Sequence, residues 1–250
     1  MPRYDFRSPR LFLDAPLAAG ASVALDRQQA NYLLNVLRLK PGASVLLFNG
    51  GDGEWRSEVT PAGRRNAALA VKERIRRQPA AGDLELLFAP LKHARLDYMV
   101  QKAVEMGASW LVPVLTQHGQ VTRINLERMR ANVIEAAEQC GILAPPGIAA
   151  PVTLQALAAA FDPARLLIFC DEDADLHDPV AALTAVRNRG QARPVSVCIG
   201  PEGGFAEAER AALLHLPNVV RLALGPRILR ADTAAVASLA VVQAVLGDWR

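Results

Sequence analysis

The sequence contains few cysteines and few histidines, and neither type is spaced as a disulfide framework or a metal site requires. The three cysteines, Cys140, Cys170 and Cys198, are odd in number, lie far apart and stand in apolar runs. Buried thiols in the reduced state are therefore expected. The histidines are also scattered without ligand spacing, which argues against a zinc site; they are His93, His118, His177 and His215. We expect no metal ion.

Long apolar runs are also missing. The N-terminus lacks the apolar stretch of a signal peptide. The longest apolar segment, residues 234–246, is interrupted by Ser238 and Gln243 and is too short to cross a bilayer. We therefore expect a soluble cytoplasmic protein with no membrane partner. With 250 residues, 51% of them hydrophobic, the chain is long enough for one large domain or two.

Two glycine-containing loops stand out near the C-terminus. The first glycine loop, residues 199–205, has the sequence IGPEGGF, and the second glycine loop, residues 224–234, has LGPRILRADTA. Each follows a short apolar run typical of a buried parallel strand and precedes a helical segment. One helix is expected to begin near Ala206, and the next to be capped by Asp232 or Thr233. We expect both loops at the carboxyl ends of neighbouring strands, where open α/β sheets bind ligands.

The charge of the first glycine loop limits its ligand. Neither loop has the G-x-G-x-x-G or G-x-x-x-x-G-K-[ST] spacing of a phosphate-binding motif, and Glu202 places a negative charge at the centre of the first. A nucleoside triphosphate or a dinucleotide is therefore disfavoured. An adenosine compound without phosphates and with a positive centre, such as S-adenosylmethionine, fits better. Alternatively, both loops are ordinary tight connections, which glycine also serves.

The first third of the chain has the pattern of a small barrel. Short apolar runs separated by turns predict five strands, at residues 11–13, 22–25, 44–48, 54–59 and 67–75. One helix interrupts them: Asp26 caps it, and Ala30, Leu33, Leu34 and Leu37 fall on one face. The arginine-rich residues 74–82 are typical of a linker.

Beyond residue 80, strands and helices alternate, which predicts a largely parallel sheet. Asn125 and Asp178 are expected to cap two of the helices. The predicted strands are residues 84–88, 110–115, 166–170, 194–199 and 219–224.

Positive charge is concentrated in the first third. Residues 1–77 contain 13 Lys and Arg against 7 Asp and Glu, whereas the remainder contains 15 against 18. Near the N-terminus, arginines alternate with Tyr4, Phe6 and Phe12, a mixture that can pair with phosphates and stack on bases. Alternatively, the N-terminal arm does not contact RNA but is solvated, with its aromatic rings in the core. Lys102 is open to the same interpretation, as a solvated side chain on a helix. The predicted RNA contacts are Arg3, Arg7, Arg10, Arg38, Lys92, Lys102 and Arg123.

The two glycine loops resemble the signature loops of the 16S ribosomal RNA uridine-N3 methyltransferase family, one of the trefoil-knotted SPOUT methyltransferases. Residues 37–42, 48–54, 102–107 and 135–141 are also similar to this family and stand in its order. The chain departs from the family pattern at four places, one of which is Asp232, where the family more often has a glutamate before the threonine. Asn31 stands where the family has a histidine, His118-Gly119 where it has an Arg-Ser pair, and Ile142 where it has an arginine.

The resemblance implies an α/β fold in two domains. Residues 1–77 would form a PUA-like β-barrel that binds RNA, and residues 78–250 a SPOUT methyltransferase domain with a largely parallel sheet and a C-terminal trefoil knot. In that knot, the chain after Leu224 is threaded through a loop of earlier residues. The resemblance also implies a homodimer, S-adenosylmethionine as the cofactor, and a uridine near the 3′ end of 16S rRNA in the small ribosomal subunit as the acceptor.

The same resemblance assigns the site residues, with adenine recognised by backbone groups. The predicted cofactor-binding set is Ile199, Gly200, Pro201, Gly203, Gly204, Leu224, Gly225, Ile228, Leu229 and Thr233. Arg230 carries a permanent, forked charge that suits the anion formed when uracil N3 loses its proton. Its alternative role is a salt bridge to Asp232 or Glu202. The proton acceptor is Glu105 or Glu202, and the sequence leaves this choice open.

Two other functions also fit the sequence. A trefoil-knot methyltransferase that acts on a tRNA ribose would share the fold but alkylate a hydroxyl group. A non-catalytic RNA-binding assembly factor would keep the crevice without turnover, although the presence of Glu202 and Arg230 argues against it.

Overall fold

The computed structural model describes residues 5, 7–61, 67–174, 178–189 and 194–249. Its contacts divide the chain into two compact units. The first consists of Met1–Ala81 with Ala137–Pro145, and the second of Gly82–Ala136 with Pro146–Arg250. The sequence did not predict that residues 137–145 would join the first unit.

The first unit is built on a five-stranded sheet of order β1-β3-β4-β5-β2. Its strands are β1 (Arg10–Phe12), β2 (Ser22–Ala24), β3 (Ser44–Phe48), β4 (Glu54–Pro61) and β5 (Ala67–Arg76). Only β1 and β3 pair in parallel, whereas the β2–β5, β3–β4 and β4–β5 pairs are antiparallel. All five predicted strands of the small barrel are therefore present. Alternate apolar side chains of β3, β4 and β5, including Val45, Val59 and Leu69, form its core.

The predicted helix of the first unit is interrupted. Helix α1 (Arg27–Asn31) begins with the expected cap, because the Asp26 carboxylate accepts a bond from the Gln29 amide at 2.7 Å. A π-helical turn, Tyr32–Val36, follows it directly. The predicted face is nevertheless confirmed: Ala30 and Leu33 are buried and Leu34 and Leu37 pack against the core, while Val36, outside that face, is 62% exposed.

The predicted linker is partly wrong, because Arg74 and Arg76 lie in β5. The buried carboxylate of Glu54 accepts bonds from Arg76 at 2.6 Å and from Arg10 at 2.9 Å. Arg10 is only 8% exposed. Its predicted contact with RNA is therefore contradicted, since its guanidinium is used inside the first unit.

Arg76 also fixes the added segment 137–145. Its Nη2 donates to the Gly141 carbonyl at 2.9 Å, and the Glu138 carboxylate accepts from the Phe12 amide at 2.8 Å. Two of the segments that resemble the methyltransferase family, residues 48–54 and 135–141, thus contribute structural bonds of the first unit.

The second unit contains a parallel seven-stranded sheet. The order is β12-β10-β11-β6-β7-β8, and β9 also pairs with β7. All five predicted strands are present, and two short strands that the sequence did not predict, β8 and β9, extend the sheet. The strands are β6 (Leu84–Phe88), β7 (Trp110–Leu115), β8 (Gly147–Ile148), β9 (Val152–Thr153), β10 (Leu166–Cys170), β11 (Val195–Ile199) and β12 (Val219–Leu222).

Helices connect these strands. Helix α7 packs against α2, α5 and β11, and the threading of the predicted knot stays a prediction. No described helix is long and apolar enough to cross a membrane. The helices are α2 (His93–Glu105), α3 (Leu126–Cys140), α4 (Leu154–Ala160), α5 (Pro179–Arg187), α6 (Glu207–Leu214) and α7 (Ala231–Val245).

Most predicted helix caps are confirmed. Side-chain oxygens of Asn125 and Asp178 accept backbone bonds at the starts of α3 and α5, and Ala206 precedes α6. The cap of α7 was predicted wrongly, because Arg230 occupies that position without a side-chain bond. Asp232 lies inside the first turn, where its negative charge still favours the positive end of the helix dipole.

Candidate active site

The two glycine loops lie at the carboxyl edge of the parallel sheet. The first follows β11 and the second follows β12. They are not on neighbouring strands, as the sequence suggested, because β10 lies between β11 and β12 and is parallel to both. The segment that follows β10 therefore also starts between the two loops. The prediction was wrong because β11 and β12 follow each other in the chain, whereas their order in the sheet depends on long-range pairing with β10.

The first glycine loop is tightly packed. A Cβ atom at Gly200 would lie 2.6 Å from the Phe205 ring, and one at Gly203 would lie 3.3 Å from the His118 Cβ. Gly204 has a positive φ of 71° and donates its amide to the Pro201 carbonyl at 3.0 Å. The His118 Nδ1 lies 3.2 Å from the Gly204 carbonyl oxygen. His118 is a departure from the family pattern in the sequence, but its place beside this loop was not predicted, because it depends on the pairing of β7 within the sheet.

The second glycine loop has free peptide groups. Within the described parts of the chain, residues 224–229 make no recorded hydrogen bond through their backbone or side chains. Gly225 adopts a φ of 88°, and a Cβ atom there would meet nothing within 4 Å. Buried peptide donors and acceptors are normally paired, so the free groups of the half-buried Leu224, Gly225 and Leu229 are available to a ligand. Pro226, which has no N–H group, and Ile228 are exposed to solvent. An adenine ring, which needs both donors and acceptors, fits this segment.

Two charged side chains flank the loops. Glu202 pairs with the Arg95 Nη1 at 3.4 Å, so the carboxylate is held by the first turn of α2. Arg230 is exposed, and no ion pair is recorded for it among the residues that the structure describes. Neither predicted salt bridge of Arg230, to Asp232 or to Glu202, is present. Its positive charge therefore remains available to an anion.

Glu105 is not brought to the loops. Helix α2 connects the carboxyl end of β6 to the amino end of the parallel neighbour β7, and Glu105 is its last residue. Its carboxylate binds the Lys102 Nζ at 2.7 and 2.8 Å. Glu105 and Lys102 thus lie towards the opposite edge of the sheet from the loops. Within one chain, this contradicts both the base role of Glu105 and an RNA track through Lys102 to the crevice.

Comparison with known proteins identifies this arrangement. The model of the RNA methyltransferase domain matches residues 78–243, and that of the RNA methyltransferase PUA domain matches residues 25–72. The chain is 31% identical over 230 residues to ribosomal RNA small subunit methyltransferase E of Synechocystis, covering 90% of this chain and 74% of the relative. The chain belongs to the ribosomal RNA small subunit methyltransferase E family.

Other relatives agree. The methyltransferase E of Rickettsia conorii is 29% identical over 235 residues, covering 94% of each chain. A solved methyltransferase structure from Legionella pneumophila, in complex with bound S-adenosylmethionine, is 26% identical with a TM-score of 0.82 and covers 95% of this chain and 98% of that one. The family resemblance, the α/β fold and the PUA-like first unit are confirmed. The chain is an RNA methyltransferase of this family.

Asp171 lies between the two glycine loops, directly after β10. Its buried carboxylate accepts bonds from Arg210 Nη2 at 2.9 Å and Arg221 Nε at 2.7 Å. Burial alone would raise the pKa of Asp171, but the bonds from Arg221 and Arg210 outweigh it and lower that pKa. The Asp171 amide also donates to the Leu222 carbonyl at 3.1 Å. Sequence analysis missed Asp171, although an acid directly after a buried strand is the signal that could have found it.

The cysteines differ from one another. Burial raises the pKa of the Cys170 thiol to about 12 and also raises that of Cys198, so both thiols are protonated, as expected. Cys140 is exposed, and its predicted burial is wrong because it lies at the end of α3. Among the described residues, no cluster of histidines, cysteines and acids could hold a metal ion.

The predicted RNA contacts lie in different places. Arg7 and Arg38 are exposed in the first unit, where Arg38 has a left-handed φ of 55°. Lys92 and Arg123 come together in the wall of one cavity of the second unit. Arg3 and His177 lie outside the described residues.

Proposed function

We propose that the chain transfers a methyl group from S-adenosylmethionine to N3 of a uridine. This uridine lies near the 3′ end of 16S rRNA in the small ribosomal subunit. Relatives named ribosomal RNA small subunit methyltransferase E support the substrate, and the Legionella structure with bound S-adenosylmethionine supports the cofactor. The observation that carries the proposal is the run of unpaired peptide groups in residues 224–229.

Part of the cofactor set predicted from the resemblance fits this geometry, whereas Ile228 is 92% exposed and Thr233 is also exposed. Leu224, Gly225 and Leu229 offer free backbone groups to adenine. Ile199 and Pro201 are buried, and the Ile199 carbonyl already accepts the Ala89 amide at 3.0 Å, so they shape the first loop. When bound, S-adenosylmethionine supplies a methyl group on a sulfonium centre that is already a good leaving group. The chain therefore needs mainly to orient the reactants and exclude water.

Arg230 and Glu202 carry the remaining chemistry. Uracil N3 must lose its proton, and negative charge then spreads to O2 and O4. The guanidinium of Arg230 stabilises that charge, because a cation fixed beside the reacting atoms acts without reorganisation. Glu202 is the one of the two predicted bases that lies at the loops, and its pairing with Arg95 orients the carboxylate to receive the N3 proton, directly or through water.

The proposal also assigns a separate function to each of the two domains. Residues 1–77 act as the PUA-like RNA-binding domain and residues 78–250 as the methyltransferase domain. The exposed Arg7 and Arg38 contact RNA from the first of these. The C-terminal knot, a homodimer and a cytoplasmic location complete the proposal.

Methyl transfer to undermethylated small ribosomal subunits tests this function. The subunits are incubated with the full chain and methyl-labelled S-adenosylmethionine, and the RNA is digested to nucleosides for mass analysis. We expect labelled N3-methyluridine. A label on ribose would establish the alternative hydroxyl chemistry, and RNA binding without any label would indicate an assembly factor.

A further inference from the structure

The second unit contains a cavity of about 410 Å³ beside the first glycine loop. One wall is the start of α2 with Leu91 and Lys92, and the other is the segment from Gln120 to Met129, which includes Arg123. The volume falls in the range of ligand pockets, roughly 300–1,000 Å³. The cavity is therefore large enough for one nucleotide.

Both walls are attached to the first glycine loop. In the α2 wall, Arg95 binds Glu202, and its neighbours His93 and Leu96 line the cavity. In the other wall, the ring of His118 contacts the Gly204 carbonyl two residues before the cavity-lining Gln120. The two walls of the cavity are thus linked to the first glycine loop by the Arg95–Glu202 ion pair and by the contact of His118 with Gly204.

The cavity combines an apolar floor with positive charge. The apolar floor is formed by Leu96 and Ile124, which are half-buried, whereas Leu91 and Met129 are almost completely covered, at 2% and 1% exposure. Lys92 and Arg123 are exposed, and no ion pair is recorded for either among the described residues. The acid in the wall, Asp97, is neutralised by two bonds from Arg128, at 3.0 and 2.5 Å. Unpaired cations above an apolar floor suit a phosphate attached to a flat base.

We infer that this cavity binds the RNA nucleotide next to the acceptor uridine. Its phosphate lies between Lys92 and Arg123, and its base rests on the half-buried side chains of Leu96 and Ile124. The inference rests on the proposed function and adds a subsite to it. Because the adjacent nucleotide is held, the acceptor uridine is positioned at the glycine loops.

Salt dependence of RNA binding tests the two cations. The double variant Lys92→Ala/Arg123→Ala is compared with the wild type for binding to undermethylated small ribosomal subunits over a range of salt concentrations. A single-stranded phosphate contact contributes about 0.7 to the slope of log K against log salt, so losing the one phosphate held by both cations lowers its magnitude by about 0.7. Affinity for S-adenosylmethionine, measured by calorimetry, should not change.

A matched control removes the same charge elsewhere. Arg187 and Arg189 are exposed at the end of α5, which precedes β11 and therefore lies at the opposite edge of the sheet. The variant Arg187→Ala/Arg189→Ala should keep the wild-type slope. An unchanged slope in the Lys92→Ala/Arg123→Ala variant, or an equal fall in both, would overturn the inference.

Photocrosslinking locates the nucleotide independently of turnover. A short single-stranded RNA carries the acceptor uridine with 4-thiouridine on its 5′ or 3′ side, and crosslinked peptides are identified by mass spectrometry. We expect crosslinks within residues 91–97 or 120–129 for one of the two positions. Crosslinks elsewhere for both refute the subsite even if methyl transfer occurs. Absence of methyl transfer by the wild type with crosslinks in these segments would refute only the uridine chemistry.

Discussion

Asp171→Asn should loosen the site between the glycine loops. The substitution keeps the side-chain shape but removes a charge that is only 4% exposed and that binds Arg210 and Arg221. Breaking a buried ion pair costs about 3–5 kcal/mol. Here the two arginine side chains are 32% and 26% exposed, so water partly replaces the lost partner. We therefore expect a loss of about 2 kcal/mol.

Thermal unfolding and cofactor binding measure this effect. For a unit of this size, 2 kcal/mol corresponds to a fall of about 4–8 °C in the melting temperature. Affinity for S-adenosylmethionine should fall as well, because Asp171 fixes β10 to β12 and α6 beside both loops.

The effect should also depend on pH. The folded-state pKa of Asp171 is lowered, so its stabilising contribution is complete above the unfolded value of about 3.9 and is lost as pH falls below it. The stability difference between wild type and variant should therefore shrink in acid. Asp173→Asn is the matched control, because that side chain is 74% exposed and lies 3.9 Å from Arg210. Equal melting temperatures for Asp171→Asn and the wild type at neutral pH would refute the reasoning.

Three further substitutions test other parts of the structure. Arg230→Ala should lower kcat about 100- to 1,000-fold while calorimetry shows unchanged cofactor affinity, and unchanged turnover would remove Arg230 from the mechanism. Gly225→Ala should weaken S-adenosylmethionine binding in calorimetry. It should also lower the free energy of unfolding by about 1–2 kcal/mol, because a φ of 88° strains any residue other than glycine. Wild-type affinity would show that adenine binds elsewhere. Glu54→Gln should destabilise the first unit by about 3–5 kcal/mol in denaturant unfolding, because it leaves the buried Arg10 without its ion pair; a loss below 1 kcal/mol would contradict this.

Local sequence predicted the elements of the parallel sheet well. The strands Leu84–Phe88, Trp110–Leu115 and Leu166–Cys170 have the predicted bounds, because strands covered on both faces are rich in apolar residues, and Glu85 is the single charged residue of these three. The glycine loops were also found from sequence, since glycine and proline mark turns directly.

The features that the sequence did not predict depend on contacts between residues that are far apart in the chain. Arg10 and Glu54 are 44 residues apart, and only the sheet brings them together, so Arg10 resembled a free RNA contact. The approach of His118 to Gly204 spans 86 residues and likewise has no local signal. The misplacement of Glu105 has a different cause, because the helix end before the next parallel strand already indicates the opposite edge of the sheet.

A crystal structure of the chain soaked with S-adenosylmethionine tests the central claim most directly. The account predicts adenine hydrogen-bonded to backbone groups of residues 224–229, with the methyl group exposed towards Arg230 and Glu202. Adenine bound elsewhere, or peptide groups of residues 224–229 that stay unpaired beside the ligand, would contradict it.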